Sequence, residues 1–255
     1  AYVPENVEMG VPMPATTITS RERVRTTLAH RQPDRIPIDF GGTPVTGIHV
    51  SVIAALRDHY GLEPRLVRVH EPYQMLGIID DDLKAAMGVD VEGLVGRETM
   101  FGFRNRDWRP WTVPADGLEV LVSEEFRTTT DERGDTLIHP KGNLDAPPSG
   151  RMPRTGYFFD TIVRQEPIDA ATLDPADNLE EYTVVTEADL DDLETDLAAA
   201  EESGRAVIAM LPGTALGDIA FVPAPGLEHP KGIRDITEWY ISVRKRPDYV
   251  RRVFE

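Results

Sequence analysis

Polar side chains follow three predicted strands, each at the point where the strand ends. In parallel α/β enzymes the catalytic residues sit at the carboxyl ends of the strands, because the loops that follow converge there. The loop after the first strand is therefore the main candidate for an active site, and the other two loops could supply substrate contacts. Along the chain the candidates are Asp39, Gly41, Gly42 and Thr43 after a strand at 36–40, Arg97 after one at 89–95, and Thr214 and Asp218 after one at 205–211.

Asp39 and His49 are the candidate catalytic residues. Asp39 alternates out of phase with its apolar neighbours and could point into a barrel interior, although a salt-bridged structural carboxylate fits equally well. His49 begins the next predicted helix, where a helix N-terminus favours an anion, but a lone histidine is more often a packing or surface residue. Gly41 and Gly42 predict a tight turn, and they would also let a ligand approach the backbone.

The later loops hold the remaining candidates for substrate binding. Arg97 could bind a substrate carboxylate or a phosphate group of a cofactor, and the alternative is an ion pair with Glu98 or Asp90. Thr214 and Asp218 follow a Pro-Gly turn that suits a binding loop. The sequence has no dinucleotide-binding, Walker-type, zincin, serine-hydrolase or EF-hand motif, so it gives those chemistries no support.

Composition narrows the classes of partner. Asp and Glu number 44 against 27 Lys and Arg, which gives a net charge of -17. That field repels phosphate backbones and anionic lipids, so neither nucleic acid nor a membrane is expected as a partner. The chain has no cysteine, which excludes disulfides, thiolate metal sites and cysteine nucleophiles from these residues. It also lacks a signal-peptide pattern and any stretch of about 20 apolar residues, which predicts a cytoplasmic protein.

The predicted elements alternate between strands and helices, which favours an α/β fold with a parallel sheet. We expect residues 1–18 to form an irregular arm and 19–255 to form the remaining domain. Only about three of the eight strands of a closed barrel are visible, and the sequence stops at Glu255 inside a predicted helix. We therefore expect the N-terminal part of a barrel, produced by truncation, by proteolysis or by a natural split with a completing partner.

Apolar spacing predicts the faces that the individual elements bury. The long acidic helix should start at Thr186 and end at Gly204, and the strand 205–211 should be buried on both sides. The expected element bounds are a capping box at Thr19–Glu22, a helix over 73–87 stopped by Gly88, a β-hairpin excursion at about 108–140, a loop over 140–156 and a last helix from Pro247. The residues expected to face inward are Ile48, Val52, Leu56 and Tyr60 in one helix, Leu190, Leu193 and Leu197 in the acidic helix, and Ile233, Ile236, Tyr240 and Val243 in a later helix.

Five segments, in order, resemble the uroporphyrinogen decarboxylase-like superfamily. The similarity runs from about residue 20 to the end of the sequence. It implies a TIM (β/α)8 barrel of the uroporphyrinogen decarboxylase type, of which 19–255 would be the N-terminal portion with an inserted β-hairpin. The segments are Glu22–His30 with Pro33–Gly42, Leu83–Asp90, Thr130–Asp135, Gly204–Gly213 and Arg246–Val253.

Departures from the decarboxylase pattern point to another branch of that superfamily. The Arg-rich loop that holds porphyrin carboxylates is replaced by Gly41–Gly47, which contains no arginine. The aspartate expected seven residues after Asp90 falls on Arg97, and the tyrosine expected after the third strand falls near Ile219. The sequence is therefore more similar to the corrinoid-dependent methyltransferases.

That resemblance implies methyl transfer between a small methylated substrate and a corrinoid protein or a thiol. It also implies zinc, whose ligands would lie beyond this chain, and it leaves a homodimer open. Two alternatives remain at this point. One is a decarboxylase-like lyase acting on a small carboxylic acid, and the other is a non-catalytic half-barrel completed by a second subunit.

Overall fold

The computed structural model describes residues 18–94, 96–210 and 217–255. Within those ranges the chain forms helices and short strands, together with three 3-10 turns at Pro44–Thr46, Pro140–Gly142 and Pro175–Leu179. The helices are α1 Ser20–Leu28, α2 Val50–His59, α3 Asp81–Met87, α4 Glu187–Glu202, α5 Ile236–Lys245 and α6 Pro247–Phe254. The strands are β1 Val69–Glu71, β2 Leu76–Gly77, β3 Val91–Leu94, β4 Trp108–Thr112, β5 Glu119–Ser123, β6 Thr128–Thr130, β7 Thr136–Ile138, β8 Gly150–Met152, β9 Asp160–Thr161 and β10 Ala206–Ala209.

The described strands form four small sheets, and the barrel stays a prediction. β3 and β10 pair in parallel, with Ala206 opposite Val91 and Ala209 opposite Leu94. The predicted excursion consists of antiparallel hairpins, with β4 paired to β5 and β6 paired to β7. β8 and β9 extend the second hairpin to four strands, so the segment 140–156 is not the continuous loop that its prolines and glycines predict. None of the described helices is both long and apolar enough to cross a membrane.

The predicted first strand at 36–40 is an extended segment rather than a strand. Pro37 lacks an N–H group, which removes one ladder hydrogen bond. The Ile38 N–H donates to the Asp90 side chain instead, at 2.9 Å. Within 36–40, the backbone hydrogen bond toward β3 is the one in which the Ile38 carbonyl accepts the Asp90 N–H at 2.8 Å. The segment nevertheless runs along β3 in the same direction, because Ile38 meets Asp90 and Gly42 lies against Gly93. We call this segment, β3 and β10 the parallel layer.

A buried ion cluster fastens this parallel layer at its amino-terminal edge. The Asp90 side chain is fully buried and accepts from Arg23 Nη1 and Arg35 Nη1, both at 2.6 Å, and from Ser20 Oγ at 2.8 Å. Arg23 also pairs with Asp34 at 2.7 Å. Burial by itself would raise the pKa of Asp90, but these donors and the Ile38 N–H outweigh it and hold the pKa below its usual range. The cluster connects α1, the extended segment and β3, so its role is structural.

Local signals at helix ends are confirmed. The Thr19 hydroxyl caps α1, and Glu22 reaches back to the Thr19 N–H at 2.9 Å, as a capping box requires. Thr186 begins α4 in the same way, with Asp189 as the reciprocal partner. Gly88 ends α3 in the left-handed conformation with φ +67°, where glycine has no steric cost.

The predicted helix over 73–87 is wrong in its first half. Tyr73 lies in the turn between β1 and β2, Leu76 belongs to β2, and Ile79 lies in the approach to α3. Met75 adopts φ +51° in that turn, and its N–H donates to the Pro72 carbonyl at 3.1 Å. The prediction fails because apolar residues at helical spacing also occur in a tight turn whose side chains are buried.

Several predicted inward faces are wrong by part of a turn. In α2 the buried residues are Val50, Ile53 and Arg57, whereas Val52 and Tyr60 are largely exposed. In α5 the buried residues are Trp239 and Ser242, and the predicted Tyr240 and Val243 face outward. The leucines of α4 are also exposed, and the face of β10 that carries Ile208 is open. Two-sided burial of 205–211 is therefore contradicted for the described part of that strand.

The main apolar core lies beneath the hairpin excursion. Phe101, Phe103, Phe126 and Phe159 are buried completely or almost so, and their rings meet edge to face at centroid distances of 5.9–6.4 Å. Such contacts add to the hydrophobic stabilisation of the rings. Phe101, Phe103 and Trp111, which lie at the start of the excursion, all belong to the larger of the two apolar clusters.

Candidate functional site

The turn after the extended segment contains four of the predicted site residues. The Asp39 carboxylate accepts the Gly42 N–H at 3.0 Å, which closes the turn with a side chain. Gly41 adopts φ +80°, and its N–H donates to the Thr46 carbonyl at 2.9 Å. The Thr43 carbonyl accepts the Thr46 N–H at 3.1 Å. Asp39 therefore has a structural task here, in addition to lying at the carboxyl edge of the parallel layer.

Two glycines allow this turn to lie directly on β3. A Cβ atom on Gly93 would come within 2.1 Å of the Gly42 carbonyl oxygen, which is far closer than any real contact. A Cβ atom on Gly42 would come within 2.6 Å of Asp39 Oδ1. Close approach of one backbone to another is thus the reason for glycine at position 93, whereas at position 42 a side chain would collide with the Asp39 carboxylate that closes the turn.

Replacing Gly93 with alanine is expected to lower the free energy of unfolding by about 2 kcal/mol, because the new methyl group has to push the 39–47 turn away from β3. The matched control is Gly96→Ala, since a Cβ atom on Gly96 meets no atom within 4 Å. Chemical denaturation of both variants measures the difference. Equal stability of the two variants would contradict the close packing of the turn on β3.

His49 is the N-cap of α2. Its Nδ1 accepts the Ser51 N–H at 3.2 Å, so the ring proton lies on Nε2, which donates to the Tyr157 carbonyl at 2.8 Å. Both ring nitrogens are therefore occupied, and His49 is not free to act as a general base in this arrangement. Its contribution to the site is to hold the Tyr157 loop against the start of α2.

Arg97 is held away from the turn by α4. Its guanidinium pairs with Asp192 at 2.8 Å and with Asp196 at 2.9 Å. The expected alternative partners, Glu98 and Asp90, are not the ones it uses. A substrate carboxylate would have to displace two aspartates to reach Arg97, so the predicted binding role has no support in the geometry.

The loop after β10 contributes Asp218. Its carboxylate accepts the Ala220 N–H at 2.8 Å and the side chain is exposed. Thr214, the other predicted residue of this loop, lies outside the described residues.

Asp218 and Asp160 act on a tyrosine that sequence reasoning did not select. The pKa of Tyr73 is raised by burial first, and then by the negative charges of Asp160 and Asp218. The Tyr73 carbonyl accepts the Phe159 N–H at 2.8 Å, which places Asp160 beside the tyrosine turn. We call Tyr73, Tyr157, Asp160 and Asp218 the Tyr73 patch. Both charges that act on its phenol are negative, so the patch favours cations over anions.

The Tyr73 patch could not be found by spacing. Its four members come from the β1–β2 turn, from the loop before β9, from β9 itself and from the loop after β10. The available signal was the aromatic run Tyr157, Phe158 and Phe159 directly before an aspartate. Tyr157 and Phe158 are about half exposed, at 49% and 53%, whereas Phe159 is fully buried. This pattern is typical of a loop that is anchored by one ring and presents the others.

A buried carboxyl group lies directly below the patch. Glu71 accepts the Tyr73 N–H and the Met100 N–H, each at 3.1 Å. Burial raises the pKa of Glu71 to about 7, although both hydrogen bonds oppose the change. Glu71 thus joins the Tyr73 turn to the segment that follows β3, and it does so with a group that changes charge near neutral pH.

A separate open concavity of about 320 Å³ lies on the hairpin excursion. Its arginines are paired, Arg106 with Glu125 and Arg127 with Glu124. Lys141 lines it with φ +53°, in the left-handed region. The concavity is built from hairpin residues rather than from the Tyr73 patch, and its mixed charge selects neither cations nor anions.

The described residues do not fit the zinc that the resemblance implies. Across 18–94, 96–210 and 217–255, no three His, Asp or Glu side chains are grouped so that they could hold a metal ion. The whole sequence also lacks cysteine.

Searches of the chain against models of protein families, against curated proteins and against solved structures found no match.

Proposed function

We propose that this chain provides the substrate-binding surface of a methyl-transfer enzyme whose substrate is a small methylated ammonium compound. The observation that carries the proposal is the hydrogen bond from the Phe159 N–H to the Tyr73 carbonyl at 2.8 Å, which brings Asp160 beside the tyrosine, where Asp160 and Asp218 add to burial in raising the pKa of the phenol. A quaternary ammonium group is bound by carboxylate charge and by the faces of aromatic rings, and both are present in the patch. The methyl acceptor, a corrinoid on a separate protein or a thiol, is taken from the sequence resemblance.

Charge distinguishes this proposal from the decarboxylase-like lyase. A lyase acting on a small acid needs a cation that holds the substrate carboxylate. Arg97, the candidate for that role, is already bound by Asp192 and Asp196. The two carboxylates of the patch would repel an acid. A methylated ammonium compound has the opposite charge, and after transfer of one methyl group it leaves as a neutral amine that needs no proton.

The residues of the patch have separate tasks in this proposal. Asp160 and Asp218 attract the cation, and Tyr73 and Tyr157 present ring surface to its methyl groups. His49 fixes the Tyr157 loop through its Nε2–H, and Glu71 fixes the Tyr73 backbone. The Tyr73 phenol is neutral at pH 7 even at its ordinary pKa, and the raised pKa extends that neutral range, so the phenol adds no third negative charge. A cytoplasmic location belongs to the same proposal.

Tetramethylammonium is the probe for this binding surface, and calorimetric titration is the measurement. Asp160→Asn and Asp218→Asn are each expected to weaken binding about tenfold, because each removes one of the two charges that face the cation. Glu132→Gln, which removes an exposed charge in the β6–β7 turn, is the matched control and should bind like the parent chain.

Two further results decide between the candidate functions. Appearance of the tertiary amine in NMR spectra, after a reduced corrinoid or a thiol is added, would support methyl transfer. Binding of acetate in place of tetramethylammonium, unaffected by the two asparagine variants, would overturn the proposal in favour of the lyase.

A further inference from the structure

The helix α4 attaches to the rest of the chain by charge rather than by its leucines. Asp192 and Asp196 face the body and bind Arg97, and Ala200 is the buried residue one turn later. Leu190, Leu193 and Leu197 remain 43%, 37% and 39% exposed along the flank of the helix. An amphipathic helix normally turns such a stripe toward a partner surface.

The borders of this leucine stripe are strongly acidic. Helix α4 contains no Lys or Arg, and the acidic residues within it are Glu187, Asp189, Asp191, Asp192, Glu194, Asp196, Glu201 and Glu202. Glu194 and Glu201 lie three and four residues from Leu197, so they share its side of the helix. A surface that covers the stripe must therefore combine apolar groups with positive charge.

Helix α5 presents a surface of that kind on the same chain. Tyr240 and Val243 are 55% and 49% exposed, and Arg244 is exposed one residue after Val243. Lys245 and, in α6, Arg252 are exposed as well. Within the parts of the chain that the structure describes, the ion pairs do not include Arg244, Lys245 or Arg252, so their charge is open to a partner.

A second copy of this chain fits the two surfaces better than an unrelated partner. With a net charge of -17, two copies repel each other unless opposite charges face across the contact. The acidic stripe and the basic α5–α6 face supply that arrangement. In a two-fold pair each chain offers both surfaces, so the contact between α4 and α5–α6 forms twice and the assembly closes at two copies.

We propose that two copies of this chain pair about a two-fold axis, with the leucine stripe of α4 in each copy packed against Tyr240, Val243 and the basic residues of α5–α6 in the other. This pairing does not depend on the methyl-transfer proposal. It would bury the leucines that the single chain leaves exposed, and it would neutralise part of the acidic border.

Charge reversal on each surface tests the pairing. One variant combines Glu194→Lys with Glu201→Lys, and the second combines Arg244→Glu with Arg252→Glu. Each variant alone should be monomeric in sedimentation equilibrium, with the dissociation constant of its self-association raised at least about tenfold over the parent chain. An equimolar mixture of the two should form dimers again, because both contacts then join opposite charges.

The matched control reverses two charges on the other side of α4, in Asp191→Lys with Glu202→Lys, and should remain dimeric. Circular dichroism checks that every variant is folded, and Tyr240→Ala with Val243→Ser replaces any reversed variant that is not. A parent chain that is monomeric at 100 μM, which is roughly the concentration at which a weak dimer still forms, would overturn the proposal. So would dimers that persist in both reversed variants, or folded monomeric variants whose mixture stays monomeric.

Discussion

Replacing Asp90 with asparagine is expected to lower the free energy of unfolding by about 3–5 kcal/mol, the usual cost of removing one partner from a buried ion pair. The Asp90 carboxylate is 0% exposed and is bound by Arg23 and Arg35 at 2.6 Å each. The Arg23 side chain is itself 5% exposed, so the variant leaves a buried guanidinium with Asp34 as its remaining carboxylate partner. Urea denaturation at pH 7 measures the loss.

An exposed ion pair serves as the control for Asp90. Asp248 and Arg251 pair within the first turns of α6, with side chains 84% and 63% exposed. Because solvent screens such a pair, Asp248→Asn should change stability by less than about 1 kcal/mol. Equal effects of the two asparagine variants would show that the Asp90 cluster does not hold α1, the extended segment and β3 together.

The Asp90 cluster also shows what a sequence motif can and cannot reveal. The segments Pro33-Asp34-Arg35 and Gly88-Val89-Asp90 both belong to the resemblance. A strand is predicted at 36–40, directly after the first segment, and another at 89–95, which includes the end of the second. The reason for both is one carboxylate that binds two arginines across 55 and 67 residues of chain. Pairings at that distance leave no periodic trace, so the motif was visible and its physical role was not.

Elements that depend on neighbouring residues were predicted well. The Thr19 and Thr186 caps and the left-handed Gly88 each depend on a few adjacent residues, and the structure contains all three. Predictions of which face a helix buries failed where long-range charge decided the outcome. Arg97 turns the aspartates of α4 inward, and apolar spacing alone would have turned the leucines inward.

The sequence predicts where the candidate site lies, but it does not predict which residues form it. Asp39, Gly41, Gly42 and Thr43 form a turn at the carboxyl edge of the parallel layer, as expected from the order of strands. His49 lies close by, but as a cap. Tyr73 was placed in the first half of the predicted 73–87 helix, which does not form. Asp160 is brought beside it by a hydrogen bond between segments 86 residues apart, from the Phe159 N–H to the Tyr73 carbonyl.

Opposing titrations of two adjacent residues are expected to offset each other in part, so that the stability falls only slightly as the pH rises from about 4.5 to 6.5. Burial raises the pKa of Glu71 from 4.5 to about 7, so the folded chain binds a proton there that the unfolded chain has lost. Stability from this group therefore falls as pH rises through that window, by roughly 3 kcal/mol in all. Burial lowers the pKa of His70 from 6.5 to about 4, so stability from this group rises with pH from about 4 to 6.5. Because the His70 ring is partly exposed, its total is smaller than that of Glu71.

Removing one member of the pair should uncover the slope of the other. In Glu71→Gln, stability should rise with pH between 4.5 and 6.5 by up to about 1.4 kcal/mol per pH unit, the slope for one proton. In His70→Gln it should fall across the same range and level off above pH 7. The slope is the diagnostic quantity, since the amide introduced by Glu71→Gln also loses one of the two backbone hydrogen bonds and shifts the whole curve downward. Asp82, whose pKa is lowered to about 2 mainly by its hydrogen bond from Arg57, titrates below this window in both variants. Flat profiles in both variants would mean that neither group changes its proton affinity on folding, and the buried carboxyl under the Tyr73 patch would then be charged throughout.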